Sequence, residues 1–199
     1  MRLVLLIIAG YLFLYINNEW LITTEHVYET NNIPQSFDGF RIVQISDLHD
    51  ATFGEGQERL IENVASARPD AIFLTGDLID SNRSNLERSL QAVRGFIDIA
   101  PVYYVLGNHE VATNYVGDIY ASLEALGVHT LKNEAVTFER GDAKMTIAGI
   151  EDPLMNTPTK DMLNEALQYV RDDEFTLLLA HRPEMVEHYA NAAVDVVFS

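Results

Sequence analysis

Five short apolar runs constrain the fold of this chain more than any other feature of its sequence. They are rich in Ile, Val, Leu, Phe and Tyr, most of them lack polar alternation, and they cover residues 41–46, 70–75, 102–106, 175–180 and 194–198. Such runs are typical of strands buried on both faces of a sheet. The intervening stretches each show one apolar stripe, which predicts helices at residues 57–67, 86–99, 119–126, 160–170 and from 183 to about 191. This alternation of strands and helices predicts an α/β fold.

One further pair of segments predicts a hairpin. Residues 135–140 and 144–150 alternate polar and apolar side chains, and Gly141 and Asp142 separate them. That pattern is typical of two antiparallel strands joined by a short turn. Because the apolar runs favour parallel pairing, we expect mixed β-sheets flanked by helices.

The first 22 residues differ in character from the rest of the chain. Arg2 precedes an uncharged apolar run from Leu3 to Ile16, and Trp20 follows near its outer end. We interpret residues 1–22 as a membrane anchor, because no small-x-small pair for a signal peptidase follows the run; a signal sequence is the alternative. Residues 23–39 are then a linker and residues 40–199 one folded domain. The basic residue before the run predicts a single-pass protein of the cell membrane with this domain outside the cytoplasm.

The charge balance excludes one class of partner. The chain has 13 basic and 30 acidic residues, a net charge of −17, and no cysteine. Binding to nucleic acid relies on clustered Lys and Arg, so we expect no nucleic-acid partner. The lack of cysteine excludes disulfides, thiolate catalysis and cysteine-ligated zinc.

Four polar motifs follow directly after predicted strands. They are Asp47-Leu48-His49, Gly76-Asp77, Gly107-Asn108-His109-Glu110, and His181. Taken singly, each motif has an ordinary explanation as a turn, a helix cap or a structural histidine. Taken together, they place oxygen and nitrogen ligands for divalent cations at strand ends from distant parts of the chain, where open α/β sheets bind ligands. The set therefore indicates a metal site.

These motifs resemble the ordered signature of the calcineurin-like metallophosphoesterases, which reads D-x-H, G-D, G-N-H-[DE], H and G-H-x-H. The first four motifs are present here in that order, and the resemblance covers residues 40–199. The apolar N-terminal run and the residues around Asp47 and His181 resemble the membrane-associated bacterial branch. The resemblance implies a metallophosphoesterase-like α/β sandwich. We expect the sequence to be truncated before G-H-x-H, and so incomplete at its C-terminus.

The family implies specific roles for the motif residues. By resemblance, Asp47 and His49 hold one metal, Asp77 bridges two metals, and the second is held by Asn108 and His181. The two divalent ions would be Mn, Fe or Zn, and the nucleophile would be a metal-bound hydroxide. A carboxylate can bridge two cations roughly 3.5 to 4 Å apart, which suits in-line displacement at phosphorus.

The resemblance gives His109 a different task from the ligands, as the acid or transition-state stabiliser for the leaving group. Glu110 or Asp80 would orient it, or would be turn residues or residues that support the metal ligands through hydrogen bonds. Arg182 is a candidate phosphate contact or an ordinary surface residue.

The implied activity is hydrolysis of phosphomonoesters or phosphodiesters. A substrate at the membrane surface would be lipid-linked or a nucleotide-sugar. The alternative is a noncatalytic, membrane-tethered binding or scaffold protein with a decayed metal site.

Overall fold

The computed structural model describes residue 10, residues 21–83 and residues 85–199. In this part of the chain eight strands form two four-stranded sheets. The strands are β1 (Ile42–Ile45), β2 (Ala71–Leu74), β3 (Val102–Tyr104), β4 (His129–Thr130), β5 (Glu134–Arg140), β6 (Ala143–Gly149), β7 (Thr176–Leu179) and β8 (Val196–Phe198). The α-helices are α1 (Glu58–Ala67), α2 (Leu86–Ile97), α3 (Asn108–Val111), α4 (Val116–Ala125), α5 (Thr159–Leu167) and α6 (Val186–Ala190).

The first sheet has the order β1-β2-β3-β4, and all its pairs are parallel. Its central strand β2 is buried on both faces, as its uninterrupted apolar sequence predicts. Ile72 and Leu74 point to one face and Ala71 and Phe73 to the other, because successive side chains of a strand alternate. The parallel order places the carboxyl ends of β1, β2 and β3 side by side.

The second sheet has the order β5-β6-β7-β8 and is mixed. The predicted hairpin is present as β5 and β6, which pair antiparallel from Glu134–Gly149 to Arg140–Ala143. Strand β7 pairs parallel to β6 and to β8. This sheet confirms the expectation of mixed pairing.

The two sheets pack face to face. Between them lies an apolar cluster that joins Phe73 and Tyr103 of the first sheet to Ile147 and Leu177 of the second. The rings of Phe73 and Phe198 meet edge to face across this layer, with centroids 4.9 Å apart. Helices α1, α2 and α4 cover the outer face of the first sheet, and α5 and α6 cover that of the second. The predicted α/β sandwich is therefore confirmed.

Every predicted strand and helix is present, with shifted ends. The sequence analysis did not predict the two-residue strand β4 or the four-residue helix α3, which begins at Asn108 inside a motif interpreted only as a strand end. Elements this short have too few residues for a hydrophobic period to be read.

The predicted anchor lies almost wholly outside the described residues. Among the helices that the structure describes, none is both long and apolar enough to span a bilayer. Within the predicted linker, Phe37 is 1% exposed and packs in the cluster between the sheets.

Candidate metal centre

The six motif residues with predicted roles come together at one edge of the sandwich. Asp47, Asp77 and Asn108 follow the carboxyl ends of β1, β2 and β3, and His181 follows β7 of the second sheet. His49 lies in the loop after β1 and His109 in the short helix α3 that follows β3, with their rings 4.2 Å apart. The site therefore combines three loops of one sheet with one loop of the other.

Asp77 lies at the middle of this group and is 3% exposed. Its Oδ2 atom is 3.4 Å from His49 Nε2, and its Oδ1 atom is 3.5 Å from His181 Nε2. The two oxygens of one buried carboxylate thus face two different histidines. Asp77 Oδ1 also accepts a hydrogen bond of 2.8 Å from the backbone N–H of His109.

Two sets of candidate ligand atoms share Asp77. One set contains His49 and His109, and the other contains Asp47 and His181; within each set the atoms lie within 4.8 Å of one another. Asp47 belongs to the second set and also lies near the first, because its Oδ1 atom is 3.5 Å from His49 Nε2. Asn108 Oδ1 lies 3.1 Å from His181 Nε2 and so adds a neutral oxygen next to the second set.

The loops that present these residues have an uncommon backbone conformation. Asp47, His49, Asp50 and Asp77 all have φ between 48° and 56°, in the left-handed region. Non-glycine residues in this region are uncommon, and such strain concentrates at functional sites. Backbone hydrogen bonds hold it in place: Asp47 N–H donates to the carbonyl of Gly76 (3.1 Å), and His49 N–H to that of Asp77 (3.0 Å).

Glycine is required where these loops approach each other. A Cβ atom on Gly107 would lie 2.2 Å from Asp77 Oδ1, and one on Gly76 would lie 2.6 Å from His181 Nδ1. Both distances are far below van der Waals contact. The glycines of the two motifs therefore let the backbone come close enough for the side chains to converge.

The contacts of Glu110 agree with one of its predicted alternatives, support of the ligand loops, and not with orientation of His109. Its carboxylate is fully buried and accepts hydrogen bonds from the backbone N–H groups of Asp77 (2.9 Å), Ile79 (3.0 Å) and Gly107 (2.8 Å). Burial raises the pKa of Glu110, and these three donors oppose that rise. Glu110 thus ties the loop after β2 to the loop after β3 instead of orienting His109.

Asp50 is a second buried carboxylate, which the sequence analysis missed. Its Oδ2 atom accepts hydrogen bonds from the backbone N–H groups of Asp80 (3.0 Å) and Asn85 (2.9 Å), and its Oδ1 atom accepts one from the Ser89 hydroxyl (2.8 Å). Asp50 directly follows His49, so these bonds join the His49 loop to residues 80–85. The only sequence signal was its position next to the first motif.

Hydrogen bonds orient the rings of two site histidines, His181 and His109. His181 Nδ1–H donates to the carbonyl of Thr75 at 2.8 Å, which leaves Nε2 facing Asp77 and Asn108. In His109, by contrast, Nδ1 accepts from the backbone N–H of Ser81 at 3.1 Å, so the neutral ring carries its proton on Nε2. His109 Nε2 lies 4.0 Å from Asp77 Oδ2. The two rings thus differ in the ring nitrogen that contacts the backbone: Nδ1 donates in His181 and accepts in His109.

The electrostatics link Asp77 with His181. Burial lowers the pKa of His181, but its contacts with Asp77 and with the Thr75 carbonyl outweigh burial and raise it to about 9. Burial would raise the pKa of Asp77, and its bonds to His181 and to the His109 N–H hold it below its ordinary value. Asp77 is therefore ionised, as a carboxylate that binds cations must be.

The structure gives two further predicted residues specific contacts. Asp80 Oδ1 lies 3.8 Å from His109 Nδ1, so Asp80 is near the ring, although Ser81 makes the hydrogen bond. Arg182 binds Asp152 through Nε (2.5 Å) and Nη2 (3.2 Å), and Asp152 is fully buried. The guanidinium is thus largely occupied by a buried partner.

The donor set fits divalent cations. It combines carboxylate oxygens, imidazole nitrogens and one amide oxygen, all of which suit hard or borderline metals such as Mn, Fe and Zn. The shared position of Asp77 and the close approach permitted by Gly107 agree with this use.

Comparisons with known proteins agree with the fold and the motifs. A family model described as calcineurin-like phosphoesterase matches residues 40–196. The chain therefore belongs to the calcineurin-like phosphoesterase family. This finding confirms the resemblance inferred from the four motifs.

Three similar proteins give this assignment context. The chain is 31% identical over 182 residues to the uncharacterized metallophosphoesterase YkuE of Bacillus subtilis, covering 85% of this chain and 60% of that protein. It is 30% identical to a bovine (Bos taurus) transmembrane protein with metallophosphoesterase domain, covering 88% of this chain and 42% of the relative. The crystal structure of phosphopantetheinyl hydrolase from Mycobacterium tuberculosis aligns with a TM-score of 0.52 at 15% identity, over 76% of this chain and 71% of that one. The chain thus spans about half the length of the two sequence relatives.

Proposed function

We propose that this protein is a two-metal phosphoesterase that hydrolyses phosphomonoesters or phosphodiesters. The observation that carries this proposal is the position of Asp77, whose two carboxylate oxygens face His49 and His181 from 3.4 and 3.5 Å. A buried carboxylate with that placement is suited to bridging two cations. Membership of the calcineurin-like phosphoesterase family supports the same reaction.

Each predicted ligand has a position that suits its role. Asp47 and His49 would hold one cation, Asn108 and His181 the other, and Asp77 both. Divalent cations bound there would polarise the phosphate and supply a nucleophile at neutral pH. The hydrogen bond from His181 Nδ1 to Thr75 keeps Nε2 directed at the site, which is the usual arrangement of a ligating histidine.

His109 would donate a proton to the leaving group. The Ser81 N–H occupies its Nδ1 atom, so the neutral ring holds its proton on Nε2, on the side of Asp77. A proton held at that atom can be given to a departing alkoxide. The same hydrogen bond argues against His109 as a ligand, although its ring lies within the His49 set.

The experiment that tests this division of roles is His109→Ala in the full-length protein. We expect the variant to bind the same amount of Mn²⁺ as the wild type, measured by elemental analysis after dialysis. Turnover of p-nitrophenyl phosphate or its bis-ester should fall by about 10²- to 10⁴-fold, as on loss of a general acid. His129→Ala is the matched control and should keep its activity, since His129 lies on the edge strand β4.

Two results would contradict the proposal. Loss of bound metal in His109→Ala would make His109 a ligand. A wild-type protein that binds metal but turns over neither substrate would favour the noncatalytic binding or scaffold alternative.

We further propose that residues 1–22 anchor the protein in the cell membrane with the catalytic domain outside the cytoplasm. The apolar run after Arg2 and the transmembrane relative support this proposal. A reporter enzyme that works only outside the cytoplasm should be active when it is fused after Asn31. The fusion protein should also stay with the membranes after a carbonate wash. Release of the fusion in soluble form would contradict the anchor.

A further inference from the structure

A cleft opens beside the candidate metal centre. It encloses about 460 Å³, within the range of small-molecule sites, and His49 forms part of its wall. Arg83 and Arg88, where the loop after β2 leads into α2, form another part of the wall. We call this space the arginine cleft. None of its residues has a predicted role except His49 and Asp80.

The two arginines give the cleft a positive wall in a strongly acidic protein. The whole sequence has a net charge of −17 and only 13 basic residues. Within the described part of the chain, Arg88 has no carboxylate at ion-pair distance, and its guanidinium donates only to the carbonyl of Asp50 at 3.4 Å. Arg83 is 89% exposed and meets Asp80 Oδ2 at 3.8 Å. Both guanidinium groups therefore keep donors for a ligand.

The two carboxylates that line the cleft, Asp50 and Asp80, keep their charges, but their hydrogen bonds come from groups other than the two guanidinium groups. The Asp50 carboxylate is 5% exposed, and three donors from residues 80, 85 and 89 occupy its oxygens. Asp80 Oδ1 accepts the backbone N–H of Asn82 at 2.9 Å, which leaves only Oδ2 near Arg83. Each carboxylate thus has its own partners.

The cleft is continuous with the site of the proposed reaction. His49 belongs to both, and Asp80 of the cleft lies 3.8 Å from His109 Nδ1. A ligand group in the cleft would therefore lie next to the phosphate that reacts. Guanidinium groups bind phosphate oxygens through paired, charge-assisted hydrogen bonds.

We propose that the arginine cleft binds a second phosphate of the substrate, next to the phosphate that is hydrolysed. The substrate class is then an organic diphosphate. This inference rests on the proposed function and specifies its substrate. In the reaction, the oxygen of one water forms the new bond to the attacked phosphorus, and the bond from that phosphorus to the bridging oxygen breaks. The water gives up one proton, the bridging oxygen keeps the bonding electrons and gains a proton, and the second phosphate, which now carries that oxygen, is the leaving group held in the cleft.

A binding experiment tests the cleft separately from catalysis. Inorganic pyrophosphate and inorganic phosphate are titrated by calorimetry into the Mn²⁺-loaded wild type, Arg83→Gln/Arg88→Gln and Arg94→Gln. Arg94 is the matched control, since it lies on α2 with an exposed partner, Glu87. Chelation of Mn²⁺ in solution is the same for all three proteins and cancels in the comparison.

We expect the double variant to lose about three- to tenfold in pyrophosphate affinity per arginine, and to bind phosphate as the wild type does. Arg94→Gln should match the wild type for both ligands. An equal loss for pyrophosphate and phosphate, or an equal loss in Arg94→Gln, would overturn the inference, because it would reflect overall charge alone.

A kinetic experiment then identifies the source of the diphosphate. Phosphate release is measured from ADP against AMP, and from farnesyl diphosphate against farnesyl phosphate in detergent micelles. The double variant should lower kcat/KM for at least one diphosphate and leave its monophosphate unaffected. A loss with ADP assigns a soluble nucleotide, and a loss with farnesyl diphosphate assigns a lipid headgroup. If neither ratio changes, the inference is wrong.

Direct measurement of Mn²⁺ binding separates this failure from failure of the proposed function. A protein that binds Mn²⁺ and hydrolyses p-nitrophenyl phosphate without any preference for diphosphates would retain the proposed function and lose the arginine cleft. A protein that binds no Mn²⁺ would lose both.

Discussion

The two sheets contribute to the candidate metal centre by different means. The loops of the first sheet place four residues in the left-handed region and join one another through two buried carboxylates, Glu110 and Asp50. The second sheet contributes only His181, and none of residues 176–182, all of them described, has a positive φ. Its loop is held instead by the ion pair between Arg182 and buried Asp152.

This difference shows how the site is held together. The half built on the first sheet is organised within that sheet, by backbone strain and by hydrogen bonds between neighbouring loops. The half built on the second sheet depends on how the sheets dock, because His181 reaches the Thr75 carbonyl of the first sheet. Substitutions in the first sheet should therefore affect metal binding most.

The largest effect is expected for Asp77→Asn, which weakens the carboxylate that the two ligand sets found among the described residues share. We expect weaker Mn²⁺ binding at both ligand sets. The loss of affinity should exceed the roughly 10- to 100-fold loss that follows removal of a residue hydrogen-bonded to a ligand. Calorimetric titration with Mn²⁺ measures it. Asp118→Asn, on the exposed face of α4, is the control. Near-normal stoichiometry in Asp77→Asn would contradict the bridging role.

The next largest effect is expected for Glu110→Gln. The amide keeps the size of the side chain but replaces one acceptor oxygen with a donor, so at least one buried N–H loses its partner. We expect Mn²⁺ affinity to fall by about 10- to 100-fold and the free energy of unfolding by about 1–3 kcal/mol. Glu62→Gln, at an exposed position of α1, should change neither. A variant with lower stability but unchanged metal affinity would show that Glu110 supports only the fold.

A smaller effect is expected for Gly76→Ala, which tests the junction of the two sheets. The new Cβ would meet His181 Nδ1 at 2.6 Å, and Gly76 has a φ of 95°. We expect a loss of about 1–3 kcal/mol in the free energy of unfolding. Mn²⁺ binding should also weaken at the ligand set that contains His181. Gly117→Ala is the matched control, because its Cβ would meet nothing within 4 Å. Equal loss of Mn²⁺ affinity at the two ligand sets would contradict the inference that only the His181 set depends on how the sheets pack.

The smallest effect on metal binding is expected for Asp152→Asn. This change removes the buried partner of Arg182 and should cost about 1.5–3 kcal/mol in the free energy of unfolding, as for hydrogen bonds to a charged group. Asp173→Asn breaks a similar two-bond pair with Arg171, but both side chains are about 70% exposed, so it should cost much less stability than Asp152→Asn. Thermal and urea unfolding measure the difference. Mn²⁺ affinity should stay near that of the wild type, and a large loss would place Asp152 within the metal centre.

The sequence by itself determined where five of the strands lie along the chain and which family the chain belongs to. The five apolar runs predict strands because hydrophobic patterning is a local property of the chain. The motifs after those strands named Asp47, His49, Asp77, Asn108, His109 and His181, and the structure brings all six together at one edge. Their roles as ligands and acid remain predictions for the experiments above.

Only the tertiary structure decided how these residues are supported. Glu110 reaches Asp77 across 33 positions of sequence, Asp50 reaches Asp80 across 30, and Arg182 reaches Asp152 across 30. The tautomer of His109 depends on the Ser81 N–H, 28 positions away. The arginine cleft likewise exists only where the loop leading to α2 packs against the His49 loop. Sequence patterns report the period and burial of one segment, whereas these contacts are set by the packing of distant loops.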